Sequence, residues 1–411
     1  MALLAVAASA LAVAACRDGG STPETQPLPP GLEQVMGQVA GIRGLPAASG
    51  VEVGTVRRED VRGLLQDTLS ERDKHAFAEM TALYRLIGVI GPGDDVEDFY
   101  LEFAARAVIG FYEPADDDFW LVDGTTPIDF DSFDATLRAT VAHEFMHALQ
   151  DERFDLPSLL GRAAGDLDWS LGLSAVLEGD ATHHERLWAV RYLPGSPVGG
   201  TSGRTVSGGS IPAALEREFR FPYEAGLDWA SLVGAMNANA ATEAVLGGRR
   251  ITTAEILHPQ LASASWQPVA VELPDLTKAG GVEWTRESEG SFGEFRLRNF
   301  LQLQLEGLPA VRAAEGWAGD RYQFYRDGNH SVAVIRVAFA SAQDGVEFTG
   351  AMAAWFEASG GDVRGEGRPT AVFADGRTVS YRAAGDSVIL VFGSNPEIAA
   401  KAAAQLGTVL N

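Results

Sequence analysis

Hydrophobic residues recur every four positions between Asp131 and Arg153, which is the spacing of one face of an α-helix. The members of this stripe are Phe133, Leu137, Val141, Phe145 and Leu149. Asp131 or Ser132 is available to cap the N-terminus of the helix. The pattern predicts a half-buried helix, and two histidines, His143 and His147, lie off its apolar stripe.

The remaining pattern divides the chain into a helical part and a part in which strands and helices alternate. Helical patterns cover four further stretches, at residues 59–106, 174–191, 213–220 and 223–246, and strands are predicted at 107–112 and 119–122. From about Trp266 onward strands are predicted at 331–339, 370–373, 379–382 and 387–392, and helices at 346–357 and 396–406. We therefore expect an α+β protein, with a mostly helical domain over residues 32–265 and a mixed α/β domain over residues 266–411.

The N-terminus has the composition of an export signal. Residues 2–15 are only Ala, Leu, Val and Ser, a run too short to span a membrane. The run ends in LAVAAC, which resembles the bacterial lipobox, where the cysteine is acylated and becomes the new N-terminus. We expect residues 1–16 to be a lipoprotein signal peptide, residues 17–31 to be a flexible linker, and a lipid on Cys16 to hold the protein at the extracytoplasmic face of the membrane. The alternative is a plain secretory signal, cleaved near Ala15, and a secreted protein.

Charge and cysteine content limit the function classes further. The 411 residues include 32 basic and 56 acidic side chains, and the net charge of −24 repels nucleic acid, so no nucleic-acid partner is expected. Cys16 is the only cysteine, so the folded part of the chain has no thiol for disulfide bonds or nucleophilic catalysis.

The helix contains the sequence His143-Glu144-Phe145-Met146-His147. Histidines four residues apart on a helix project from one face, so both imidazoles can bind a single metal ion. Glu144 is rotated away from them and can reach a water on that metal rather than the metal itself. The motif predicts a zinc site with Glu144 as general base. The alternative is two ordinary histidines on a half-buried helix.

A catalytic zinc ion takes three protein ligands and keeps an open position. A third histidine within an extended HExxHxxGxxH motif is excluded, because Gln150 and Arg153 stand at the required Gly and His positions. A carboxylate from a later helix is the remaining option, and Glu178, 31 residues after His147, is the first choice. Its rivals are Asp180, His183 and His184.

Gly179 follows this predicted ligand directly. Glycine costs about 1 kcal/mol in a helix interior. Its position inside a helical pattern suggests that another backbone, or the metal-binding helix, approaches closely there.

With these residues the chain resembles the gluzincins, HExxH metallopeptidases whose third ligand is a glutamate on a downstream helix. More closely, it resembles a group of secreted or lipid-anchored prokaryotic proteins with an HELxHALQDQxF-type helix and a later EGxA segment. The matching segments are HEFMHALQDERF at 143–154 and EGDA at 178–181, with softer likeness in GFYEP at 110–114, FPYEAG at 221–226 and ILHP at 256–259. The likeness spans roughly residues 80–340.

The resemblance implies a zincin-like fold for residues 32–265 and Zn²⁺ bound by His143, His147 and Glu178. Many gluzincins place an aspartate four residues after the ligand glutamate to orient a zinc histidine, but here that position is Thr182. The orienting group must therefore differ, and Asp180 or Asp151 is a candidate.

The activity implied is that of an extracytoplasmic zinc peptidase acting on proteins or peptides, with Glu144 as base. The hairpin at 107–122 would supply an edge strand that pairs with extended substrate, unless it is an ordinary core hairpin. Tyr223 and His258 are candidates to stabilise the oxyanion. Two alternatives remain: a non-catalytic binding or scaffold lipoprotein, with residues 266–411 as its interaction module, and a zinc amidase acting on cell-wall peptides.

Overall fold

The computed structural model describes residues 24–195, 211–237, 239–262, 266–278, 283–365 and 369–409. The fold is α+β, as the sequence predicts. Its N-terminal part is helical around a four-stranded sheet, and its C-terminal part is a seven-stranded antiparallel sheet with helices. Cys16 and residues 196–210, which are rich in glycine and serine, lie outside the described residues.

The elements of the N-terminal part are, in chain order, β1 Gln26–Pro27, α1 Pro30–Arg43, β2 Glu52–Val56, α2 Arg58–Thr68, α3 Glu71–Ile87, α4 Val96–Ala107, β3 Gly110–Glu113, β4 Asp118–Val122, α5 Ala135–Phe154, α6 Leu156–Ala163, α7 Leu167–Tyr192, α8 Ala213–Asn237, α9 Ala240–Leu246 and α10 Thr253–Leu257. Two 3₁₀ turns, Phe130–Ser132 and Pro259–Leu261, complete it.

The elements of the C-terminal part are β5 Thr285–Gly290, α11 Glu294–Leu301, α12 Leu308–Glu315, β6 Trp317–Arg326, β7 Ser331–Phe339, α13 Ala342–Ser359, β8 Asp362–Arg364, β9 Thr370–Val372, β10 Thr378–Ala384, β11 Ser387–Gly393 and α14 Pro396–Val409. The sheet order is β5-β6-β7-β11-β10-β9-β8. The four strands predicted here are present, whereas β5, β6 and β8 were not predicted.

The small sheet has the order β1-β2-β4-β3, in which β2 and β4 are parallel and the other pairs antiparallel. The predicted hairpin is therefore present as β3 and β4, although its first strand begins at Gly110, because residues up to Ala107 belong to α4. Strand β3 is at the edge of the sheet, and α5 packs against the sheet: the rings of Phe119 on β4 and Phe145 on α5 lie 5.4 Å apart. The small sheet thus supports the helix that carries the HEFMH sequence.

Helix α5 begins two or three residues later than the sequence indicated. Its N-cap is Asp134, whose side chain accepts a hydrogen bond from Leu137 N–H at 2.8 Å. The predicted caps, Asp131 and Ser132, lie instead in the preceding 3₁₀ turn, so that prediction is wrong. Arg138 holds the turn in place by donating to Asp131 O at 2.8 Å.

Helices α7 and α8 cross with their backbones in contact. A Cβ on Gly179 would lie 2.2 Å from the carbonyl oxygen of Gly226, and one on Gly226 would lie 2.1 Å from Ala175 O. Only glycine permits this approach, which confirms that another backbone comes close at Gly179. The same packing explains why α8 continues through Pro222, where the sequence predicted two helices: contact with α7 outweighs the single backbone hydrogen bond that proline removes.

One hydrophobic core includes side chains from both parts of the chain, such as Phe221 and Phe295, whose rings lie 4.2 Å apart. A buried polar cluster joins the parts as well. The Arg296 guanidinium donates to Glu218, and its Nε donates to the Tyr84 hydroxyl at 2.9 Å, while that hydroxyl lies 2.6 Å from Glu218 Oε2. The domain division near residue 265 stays a prediction.

The N-terminal linker prediction needs a correction. Within residues 17–31, the described chain already forms β1, which pairs with β2, and α1 begins at Pro30. Residues 26–31 are therefore part of the fold, because the strand pairing and the packing of α1 give this Pro-rich segment a fixed place. Among the described residues, no helix has the length and apolar character that crossing a membrane requires.

Candidate metal centre

Two imidazoles and a carboxylate converge between α5 and α7. His143 and His147 come from adjacent turns of α5, and Glu178 comes from the middle of α7; their side chains are buried, with 5%, 2% and 1% of the residue surface exposed. The two Nε2 atoms lie 3.2 Å apart, and Glu178 Oε2 lies 3.2 Å from the first and 3.5 Å from the second. Among the described residues this is the group of side chains that could hold a metal ion.

The size of this triangle tests whether a metal ion fits. Ligands at about 2.0–2.1 Å from a tetrahedral zinc ion are separated from each other by about 3.3 Å. The three observed separations of 3.2, 3.2 and 3.5 Å lie around that value. Two nitrogens and one oxygen at this spacing match the donor set of a zinc site with an open fourth position.

A side-chain oxygen lies near the opposite nitrogen of each ring. His143 Nδ1 lies 3.2 Å from a carboxylate oxygen of the buried Glu185, and His147 Nδ1 lies 2.9 Å from the side-chain oxygen of Gln150. These acceptors favour the tautomer in which Nδ1 carries the hydrogen. Both Nε2 lone pairs then point toward each other and toward Glu178, an arrangement that requires a cation, either a metal ion or a proton.

Gln150 belongs to a buried polar network behind His147. Its amide nitrogen donates to Leu177 O and to Asp180 Oδ2, both at 3.1 Å. Arg43 Nε donates hydrogen bonds to both carboxylate oxygens of Asp180, at 3.1 Å each. His184 Nδ1 lies 3.2 Å from Asp180 Oδ1. The network joins the end of α1 to the metal-binding helix.

The electrostatics of the site favour positive charge at its centre. Burial alone would raise the pKa of Glu178, but the charge of His147 and hydrogen bonds from both histidines outweigh it and hold this pKa at about 2. Burial lowers the pKa of each histidine, yet Glu178 and the neighbouring carboxylates raise both pKa values above the usual range. A protein interior that attracts protons onto two imidazoles provides the same stabilisation to a divalent cation.

Glu144 lies beside this cluster without being part of it. Its Oε2 accepts a hydrogen bond from the backbone N–H of Tyr112 at 3.0 Å, on the edge strand β3. Burial raises the pKa of Glu144, against the lowering effect of His143 and His147. A buried carboxylate with a raised pKa next to the metal ligands has the properties of a general base.

The structure separates the two candidates for oxyanion stabilisation. The hydroxyl of Tyr223 hydrogen-bonds with Glu178, and burial together with that carboxylate raises its pKa. The contact follows from the helix crossing, because Tyr223 is one turn before Gly226 on α8 and Glu178 directly precedes Gly179 on α7. His258 pairs instead with the buried Glu294 on α11, at 2.8 Å, and the structure gives no support for the predicted role.

The rivals to Glu178 are engaged elsewhere. Asp180 and His184 contact each other, and His183 Nδ1 lies 3.3 Å from the hydroxyl of Ser231. Two aspartates were candidates to orient a zinc histidine. Asp180 accepts a hydrogen bond from the Gln150 amide. Asp151 is engaged elsewhere: its Oδ2 lies 3.1 Å from the hydroxyl of Tyr112, and its other oxygen accepts from Leu156 N–H.

Sequence reasoning missed several members of the site. Glu185 follows Glu178 by seven residues, or two helical turns, so the spacing alone places both carboxylates on one face of α7 and could have revealed it. Gln150 was considered only as a replacement for glycine. Arg43 comes from a distant helix and leaves no local signal.

Comparison with known proteins adds a match outside this site. Residues 282–403 match a family model described as Domain of unknown function (DUF8575). The match lies in the C-terminal part and covers less than half of the chain. No curated protein and no solved structure matches the sequence.

Proposed function

We propose that this protein is a zinc-dependent peptidase whose centre is formed by His143, His147 and Glu178. The observation that carries the proposal is the triangle of ligand atoms with sides of 3.2, 3.2 and 3.5 Å, with Glu144 directly beside it. The HExxH motif, a glutamate ligand from a downstream helix and a nearby carboxylate are what the resemblance to gluzincins implies.

Zinc bound by these residues would lower the pKa of a water ligand and polarise the carbonyl of the scissile bond. Glu144 accepts the proton of the attacking water and transfers it to the leaving amine. The N–H of Tyr112 fixes one of its carboxylate oxygens at 3.0 Å and so restricts the direction from which the proton is taken. The Tyr223 hydroxyl is the donor we assign to the oxyanion.

Substrate would bind along β3. Val122 N–H donates to Ile109 O at 3.1 Å and Phe111 is opposite Trp120, so the backbone groups of Gly110 and Tyr112 face away from β4. Because Tyr112 N–H already donates to Glu144, an extended peptide that adds to this edge as a further strand would pair through Gly110, which would align its backbone next to Glu144. This geometry favours a peptide as substrate.

The decisive experiment compares Glu144→Gln with wild type for zinc content and for cleavage of a peptide library. We expect the variant to retain about one zinc ion per chain and to lose activity by about 10² to 10⁴, because an amide cannot accept the proton. Glu152→Gln, an exposed position on the same helix, is the matched control and should behave as wild type.

The alternatives give different results in the same experiment. Zinc binding without cleavage of any peptide or cell-wall fragment would identify a binding or scaffold protein and refute the peptidase proposal. Cleavage confined to cell-wall peptides would identify an amidase. Wild-type activity in Glu144→Gln would exclude Glu144 as base.

We further propose an extracytoplasmic location with a lipid on Cys16. The support is the lipobox-like sequence that ends at Cys16. Cys16→Ser should abolish acylation, measured by mass, and release the protein from the membrane fraction.

A further inference from the structure

We propose that Arg43 and Asp180 are positioning residues for the metal ligand His147, and that they act through the amide of Gln150. The inference rests on the proposed metal centre, but it concerns the affinity for the metal and not the reaction. The contacts that carry it form one continuous chain from Arg43 through Asp180 and Gln150 to His147 Nδ1, with separations of 3.1, 3.1 and 2.9 Å.

The orientation of the Gln150 amide is determined by its surroundings. Its nitrogen lies 3.1 Å from both Leu177 O and Asp180 Oδ2, which can only accept hydrogen bonds. A reversed amide would place its oxygen against these two acceptors. The oxygen therefore faces His147 and accepts from Nδ1, which leaves Nε2 of that ring without hydrogen and directed at the metal position.

Asp180 can impose this orientation only while its own position is fixed. Only 2% of its surface is exposed, so water does not hold it. Arg43 Nε bonds to both carboxylate oxygens at 3.1 Å, and Arg43 also reaches Glu243 on α9 at 3.3 Å. Loss of the guanidinium removes the bonds that Arg43 makes to both oxygens and leaves His184, 3.2 Å from Oδ1, as the remaining basic partner, so Asp180 can then turn away from Gln150.

The network also explains a feature of α1. Arg43 is the last residue of that helix, and Gly44 ends it with a positive φ of 78°. The turn at Gly44 stops the helix with Arg43 directed into the protein, where 4% of the residue is exposed. Docking of α1 is thereby coupled to the geometry of a ligand more than 100 residues later in the chain.

The test measures zinc affinity by competition with a chromophoric chelator, using the full chain. Arg43→Met should weaken zinc binding by about 10- to 100-fold, the usual effect of losing an outer partner of a metal ligand. Arg249→Met is the matched control. It breaks the ion pair between Arg249 and the buried Glu255, which are 2.7 Å apart and do not belong to the network. Its zinc affinity should equal that of wild type.

Two further readouts separate positioning from general damage. In the Gln150→Met background, the additional change Arg43→Met should reduce zinc affinity little further, because Arg43 affects His147 only through Gln150. Nitrogen chemical shifts of the His147 ring in metal-free protein, recorded at a pH above the raised pKa of that ring, should show hydrogen on Nδ1 in wild type and a mixture of tautomers in Asp180→Asn. Asp180→Asn also serves as the test if Arg43→Met does not fold.

The outcomes are distinguishable. Affinity within twofold of wild type in Arg43→Met, while His143→Ala abolishes binding, would refute the network and leave the metal centre intact. Additive losses in the double variant would also refute it. Absence of zinc binding in wild type would refute the metal centre and this inference together. Loss of peptidase activity alone bears on the proposed function, since the affinity measurement needs no turnover.

Discussion

The contact of α7 with α8 at Gly179 gives the sharpest test of how the fold positions the site. A methyl group added there would lie 2.2 Å from Gly226 O. Since ordinary carbon–oxygen contacts need at least about 3.3 Å, the substitution Gly179→Ala must move the helices apart by about 1 Å. Overpacking of this kind costs about 1–3 kcal/mol, although alanine is the better helix former.

The displacement acts at the site directly, because Glu178 is adjacent to Gly179 and contacts Tyr223 across the crossing. We therefore expect Gly179→Ala to weaken zinc binding as well as stability. The control is Gly63→Ala in α2, where a Cβ would have no neighbour within 4 Å. That variant should gain about 0.5–1 kcal/mol, so the two should differ by about 1.5–4 kcal/mol.

The assay is urea unfolding followed by tryptophan fluorescence, combined with zinc titration of the same samples. A lower midpoint with unchanged slope indicates lost stability rather than a changed unfolded state. If Gly179→Ala is as stable as Gly63→Ala and binds zinc as tightly as wild type, the backbone contact does not hold the site and our reasoning is refuted.

Further predictions concern the oxyanion, the metal and the core. Tyr223→Phe should keep zinc and lower kcat by about 10² to 10³ with little change in KM, and an unchanged kcat would exclude that hydroxyl. Zinc affinity, measured by calorimetry, should keep rising with pH above about 6.5, the usual pKa of histidine, because the raised pKa values of His143 and His147 mean that protons occupy nitrogens the metal needs; a flat profile would contradict this. Arg296→Met should destabilise the fold by about 3–5 kcal/mol, measured by denaturant unfolding, because Glu218 stays buried without its partner; a loss below 1 kcal/mol would show that the pair is not important.

Local sequence determined the elements that carry the chemistry. The four-residue apolar spacing predicted α5, and the HEFMH sequence on it placed His143 and His147 on one face, because helix geometry depends only on neighbouring residues. Elimination of other ligands led to Glu178, which the structure brings to the same point. Strand β7 was predicted with its observed bounds, since a run of branched apolar residues between turn residues is itself a local pattern.

Tertiary structure decided what no neighbouring residue specifies. The helix through Pro222 persists because α7 packs against it, and His258 lies beside Glu294 because α11 brings that carboxylate there. Arg43 reaches Asp180, behind the metal ligands, from a helix remote in sequence. Such contacts follow no spacing rule in the sequence. They depend on how buried side chains from different helices pack together, because a charge that is removed from water needs a partner within the fold.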